Sequence, residues 1–184
     1  MKMKTKNNTL LYIMLVCVAA VGGFLGWKWW KRRKSVNATD AIATTEDTAA
    51  QPTKAIGYRI NNPLNIRYST ANNWKGQQGE QSGFCVFDTP ENGLRAAMVN
   101  LKSYRKKGII TIGDIISRWA PPTENNTQNY IDFVCKKLKA SASYEVEQSA
   151  SEYIALLQAM CIMEIGCQPY TDSQWSIAAN LANL

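Results

Sequence analysis

The sequence predicts a mainly helical α+β domain of about 130 residues, preceded by a linker and one N-terminal membrane helix. Three observations carry this prediction. An uncharged apolar run lies near the N-terminus, the composition turns globular at Gly57, and four amphipathic stripes follow a single β-prone segment.

Residues 10–27 form a stretch of eighteen positions without a charge, roughly 27 Å long as a helix and enough to cross hydrocarbon. Trp27, Trp29 and Trp30 stand beside Lys28 and the cations at 31–34, as suits a lipid–water boundary. A cleaved signal peptide is the alternative, but the run is long for one and no small-residue cleavage site follows. Cys17 follows Val16, a poor match to a lipoprotein signal. Residues 1–34 therefore read as a single-pass anchor. Three lysines and the amino terminus precede the span and five cations follow it, so charge does not set its orientation. Residues 35–55 are small, polar and rich in Thr and Ala, a flexible linker with little to bury. Residues 56–184 form the domain.

The net charge of +7 suggests a nucleic-acid binder until it is located. Residues 1–35 hold eight of the 21 cations and none of the 14 acids, which leaves thirteen against fourteen, a net of −1. Such a body lacks the electrostatic footprint that phosphate binding requires. The chain contains no histidine, which excludes Ser-His-Asp and Cys-His nucleophiles and His-ligated metals. Cys85, Cys135, Cys161 and Cys167 show no C-x-x-C spacing and read as apolar core residues, or as one disulfide in an exported domain. No metal or cofactor is implied, and acid–base chemistry falls to carboxylates, tyrosines or lysines.

Residues 57–88, rich in Asn, Gly and Gln, read as loops with short strands, Phe84-Cys85-Val86-Phe87 being the β-prone run. Thr89, Pro90 and Glu91 start a helix with the face Leu94, Ala97, Met98, Leu101 and Tyr104, stopped by Gly108. Thr111 with Asp114 starts a second, whose face is Ile112, Ile115, Ile116 and Trp119, ended by Pro121-Pro122. A third runs from about Thr127 through Tyr130, Ile131, Val134 and Leu138. The fourth begins near Ser149 or Ser151, carries Tyr153, Leu156, Leu157, Met160 and Cys161, and closes at Gly166.

One further step along that last stripe reaches Glu164. An apolar face and the negative end of a helix both favour the neutral carboxyl. A protonated carboxyl in an apolar cleft is what glycosidic cleavage uses as general acid. The competing explanation is a carboxylate paired with a base or solvated at a frayed end.

The order of motifs resembles a known family. Asn61-Asn62-Pro63-Leu64-Asn65-Ile66-Arg67, Trp74-Lys75-Gly76, Phe84 and Phe87, Gly93-Leu94-Arg95-Ala96 and Trp119-Ala120-Pro121-Pro122-Thr123-Glu124-Asn125-Asn126-Thr127 with Tyr130 are similar to a phage and prophage family of virion structural proteins regarded as lysozyme-like. Asn61–Ile66, Trp74-x-Gly76, Phe84–Phe87 and Trp119-Ala120 with Tyr130, in that order, more weakly resemble glucosaminidase-type autolysins. Met163-Glu164-Ile165-Gly166 then looks like their glutamate helix, placed last instead of first, as in a circular permutation.

The resemblance implies a lysozyme-like fold with a small strand-containing lobe, and peptidoglycan glycan strands as substrate or ligand. Glu164 would be the acid. Glu80 would be the second carboxylate, although a lone Glu in a Gly/Gln loop is commonly solvated. Trp119 and Tyr130 would stack on sugar rings, and Asn62, Asn65 and Asn125 would bond N-acetyl groups. Packing explains Trp119 equally well, and loop asparagines often bond their own backbone. Trp74 lies on no stripe and is a cleft candidate. Glu124 is a second candidate acid that also suits the first turn of the following helix. The expected function is peptidoglycan cleavage of muramidase, glucosaminidase or lytic transglycosylase type, by an extracytoplasmic domain or one carried in a virion. The rival is a non-enzymatic virion structural or peptidoglycan-binding module.

Overall fold

The computed structural model describes residues 55–123 and 125–184. Its elements are α1 (Ile56–Arg59), β1 (Gln77–Gln81), β2 (Phe84–Phe87), α2 (Pro90–Arg105), α3 (Ile112–Trp119), α4 (Thr127–Leu138), α5 (Ala150–Ile165) and α6 (Asp172–Leu181). The fold is thus a mainly helical α+β one, with six helices and a two-stranded sheet among the described residues. The expectation that a membrane-crossing helix belongs to the fold is corrected. No helix among the described residues is long and apolar enough to cross a membrane. The apolar segment at 10–27 and the linker lie outside the described residues.

Local chemistry accounts for where the helices begin. Thr89, Thr111, Asn126, Ser149 and Thr171 each accept the backbone N–H of the residue three positions on, so all five longer helices have side-chain N-caps. Each such cap stabilises by about 1 kcal/mol. Helix α5 ends at Gly166, whose left-handed backbone (φ 86°) closes the last turn.

The strands pair antiparallel through a two-residue turn at Ser82-Gly83, with Gln81 opposite Phe84 and a bulge between Gln77 and Gly79. Residues 66–68 run along the free edge of β2. Cys85 N–H donates to the Ile66 carbonyl at 2.9 Å and Tyr68 N–H to that of Gly83 at 2.9 Å. Asn62, wholly buried, completes this joint. Its Nδ2 donates to the carbonyls of Ile66 and Cys85, both at 2.9 Å, and its Oδ1 accepts Ile66 N–H at 2.8 Å.

Helix α5 is the centre of the core. It packs against α1, α2, α4 and α6, and Tyr153, Leu156, Leu157, Met160 and Cys161 are all buried. The sequence predicts α5 between the strand lobe and the α3–α4 region. In the structure its principal neighbours are helices, and α2 is the helix packed on β2. Two elements were not expected. Helix α1 sits in a region read as loop, and α6 buries Trp175, Ala178 and Ala179 against α2. Arg95 and Lys102 of α2 donate to the carbonyls of Leu181 and Ala182, at 3.0 and 2.8 Å, and so satisfy the C-terminal end of α6. The four cysteines of the domain are free thiols, Cys85 and Cys161 buried in the core and Cys135 and Cys167 partly exposed.

Candidate functional site

Glu164 lies in the last turn of α5, on the stripe that the core-facing residues define, and opens into a cleft of about 590 Å³. The cleft runs between the β2 edge (Ile66, Arg67, Phe84) and the end of α3 (Arg118, Trp119, Ala120). Asn65 Nδ2 donates to Glu164 Oε2 at 2.9 Å, and the Tyr130 hydroxyl donates to Oε1 at 3.0 Å. Each donor is itself held. Asn65 adopts a left-handed backbone (φ 49°), a conformation asparagine tolerates, which turns its amide towards α5. Gly57 of α1 makes room for it, since a Cβ there would lie 2.5 Å from Asn65 Oδ1. Tyr130 comes from the buried face of α4, and its hydroxyl also reaches the Met160 carbonyl at 3.3 Å.

Burial is the largest influence on Glu164 and raises its pKa above the ordinary 4.5. The donors Asn65, Tyr130 and Trp119, then the charge of Arg67, oppose this in descending order without reversing it. The C-terminal end of α5 adds a further bias against negative charge. The Tyr130 hydroxyl is pushed well above 10, first by burial and then by its contact with Glu164. Tyr130 therefore remains a neutral hydroxyl that can rotate, donating to the carboxylate or accepting from the carboxylic acid.

The structure gathers Asn65, Trp74, Trp119, Asn125 and Glu164 around one cleft. Three other candidates sit elsewhere. Asn62 is fully used in the joint to β2, away from any ligand. Tyr130 lies beneath Glu164 as its hydrogen-bond partner and offers no exposed ring for stacking. Glu80 is exposed on β1, where its Oε2 accepts Gly83 N–H at 2.8 Å and closes the hairpin turn. Glu124 is outside the described residues. Sequence reasoning missed Arg67, Tyr104 and Arg118, which also line the cleft. Arg67 stood inside a quoted motif, and Arg118 adjoins Trp119 on the polar side of α3. Each had a signal, but neither carries a periodicity that marks it as functional.

Among the described residues, no group of His, Cys, Asp or Glu is arranged to hold a metal ion. Fold and site together define a small mainly helical α+β domain with one half-buried glutamic acid at the base of an open cleft. The chain is 38% identical over 140 residues to Protein P5 of Pseudoalteromonas phage PM2, a match spanning 71% of this chain and 86% of that protein. It belongs to the family of this phage protein. No protein-family model matches the chain.

Proposed function

We propose that the protein is a phage virion component whose domain binds a peptidoglycan glycan strand in the cleft and cleaves it with Glu164 as general acid. The observation that carries this reading is the Glu164 carboxyl, half-buried at the cleft floor with a raised proton affinity and two fixed donors. A general acid has to hold a proton near neutral pH and present it to the leaving oxygen. Burial moves Glu164 towards the first requirement by raising its pKa, and Asn65 and Tyr130 orient the group for the second. Trp74 and Trp119 provide apolar faces for sugar rings, and Asn125 an amide for polar substituents.

Among the described residues, Glu164 is the sole carboxylate that lines the cleft. The route that needs this carboxylate alone is of lytic transglycosylase type. Glu164 would protonate the glycosidic oxygen as the C–O bond breaks. Its carboxylate would then take the proton of a hydroxyl on the same sugar as that oxygen closes on the anomeric carbon. The product is an anhydro-ended fragment, and no water is consumed.

A second reading, a non-enzymatic virion structural or glycan-binding module, is supported by kinship with the phage protein and by the Glu164 donors. Asn65 and Tyr130 both stabilise the ionised form, which an acid does not need. Incubating full-length protein with purified sacculi separates the two. Release of soluble anhydro-ended fragments supports the first reading. Co-sedimentation without release supports the second, and neither result leaves neither reading standing.

A further inference from the structure

The turn that ends α5 brings two thiols together, and neither of them lines the cleft. Gly166 takes a left-handed backbone (φ 86°), and its N–H donates to the Ile162 carbonyl at 3.0 Å. A glycine turn of this kind commonly folds the residue after it back against the final turns of the helix. Here that residue is Cys167, and the side chain it meets is Cys161. The Cys161 thiol donates to the Cys167 carbonyl oxygen at 3.4 Å. From that contact, rotation about the Cα–Cβ bonds is the movement that would join the two sulfurs. Cys161 is wholly buried and Cys167 partly exposed, so one of the pair is sealed in the core and the other is open to solvent. Burial and then the neighbouring Cys167 both push the Cys161 thiol up. The buried Tyr170 hydroxyl, also raised first by burial, feels both thiols, which puts the two sulfurs in one neighbourhood. Among the described residues, neither Cys85 nor Cys135 is shifted by another cysteine.

We propose that Cys161 and Cys167 are an oxidation site, joined as a disulfide when the domain meets a disulfide oxidant, and that the bond clips the end of α5. The loop it closes runs from 161 to 167 and contains Glu164. The oxidant is a small-molecule disulfide such as oxidised glutathione. Cys167, the accessible partner, reacts first. Its thiolate attacks one sulfur of the oxidant, and the other leaves as a thiolate that takes up a proton. Cys161 then gives its proton to solvent and attacks the Cys167 sulfur of the mixed disulfide, which releases the second thiol. Two protein thiols are oxidised and one small disulfide is reduced to two thiols. The held proton on buried Cys161 makes this second step slow in the folded domain, and faster while the chain is folding. Nothing stabilises either thiolate, so the reduced form gains no advantage from ionisation and the closed bond resists reduction.

The test equilibrates full-length protein with oxidised glutathione, once as the folded protein and once through unfolding and refolding in the same buffer. After an acid quench, remaining thiols are alkylated in denaturant and the digest is read by mass. Peptides holding Cys161 and Cys167 should appear joined, while Cys85 and Cys135 should be alkylated. The joined form should melt about 3–8 °C above the reduced protein, as suits a short loop closed in the unfolded chain. Cys167→Ser should lose both the bond and the redox dependence of Tm, and Cys85→Ala should keep both. Cys161 and Cys167 both alkylated after either treatment would overturn the proposal. So would a stable glutathione adduct on Cys167 that never resolves, or a bond from either residue to another cysteine. A Cys161–Cys167 bond that leaves Tm unchanged or lowers it would overturn the clip. None of these outcomes bears on what the cleft binds, so the glycan reading stands or falls separately.

Discussion

The Tyr130 hydroxyl donates to Glu164 Oε1 at 3.0 Å, joining the buried face of α4 to the last turn of α5 across 34 residues of sequence. This bond holds a half-buried carboxyl in one orientation, and with Asn65 it sets how far burial is allowed to favour the neutral acid.

The raised pKa of Glu164 has a consequence for stability. A carboxyl whose folded pKa exceeds its unfolded value near 4.5 stabilises the fold fully only below that value. The contribution is lost as pH rises through the folded pKa, so above that pKa the buried ionised carboxyl costs stability. Glu164→Gln keeps the shape and a partner for both Asn65 and the rotatable Tyr130 hydroxyl, without the charge. Its Tm should exceed that of the wild type by about 2–5 °C at pH 7, with the gap closing near pH 4. A variant less stable than wild type at pH 7 would mean that the hydrogen bonds outweigh burial.

Leu157 lies about two turns before Glu164 on the same helix and is wholly buried. Leu157→Ala should cost about 2–5 kcal/mol, read as a lowered urea midpoint with an unchanged slope. A loss below about 1 kcal/mol would contradict the central position of α5.

Glu80 should matter to the hairpin and not to the chemistry. Glu80→Gln retains an acceptor for Gly83 N–H, so stability should change by less than about 0.5 kcal/mol. Any glycan-cleaving activity should stay within about twofold of wild type. A fall of about a hundredfold would return Glu80 to the role of second carboxylate.

Gly57→Ala tests the support behind Asn65. The added Cβ would lie 2.5 Å from Asn65 Oδ1 and 2.7 Å from the Asn62 carbonyl, and the second of these is backbone that cannot swing away. Asn65 should be displaced from Glu164, at a stability cost of about 1–3 kcal/mol. Loss of the Asn65 bond removes an influence that lowers the Glu164 pKa. The alkaline limb of any pH–activity profile should therefore move to higher pH, as it should in Asn65→Ala. A limb moved to lower pH in both variants would contradict the assignment.

Much of the helical layout is legible in the sequence because each start carries a side-chain cap and each face an apolar stripe. Thr89, Thr111 and Ser149 cap where the sequence indicates. Helix α6 carried the same information, a capping box of Thr171 with Gln174 before Trp175, Ala178 and Ala179. Its stripe is short and built on alanine, which periodicity registers weakly. Glu164 was legible because a carboxyl on a buried stripe violates the pattern around it. Asn62 and Tyr130 were misplaced for the opposite reason. Whether an amide or hydroxyl faces a ligand or a buried backbone group depends on contacts from residues far along the chain, such as Cys85 for Asn62 and Glu164 for Tyr130. The arginines of the cleft were invisible for the same cause, since only the fold brings residues 67 and 118 to one opening.

The most direct test of the account compares full-length wild type with Glu164→Gln on purified sacculi, following soluble fragments by mass. Gln cannot supply the proton that the leaving oxygen needs. Wild type should release anhydro-ended fragments, and the variant should release them at least about 100-fold more slowly while still sedimenting with sacculi and retaining its circular dichroism. Equal release by the two proteins, or no release by wild type from any peptidoglycan type tried, would contradict the assignment of Glu164 as the acid.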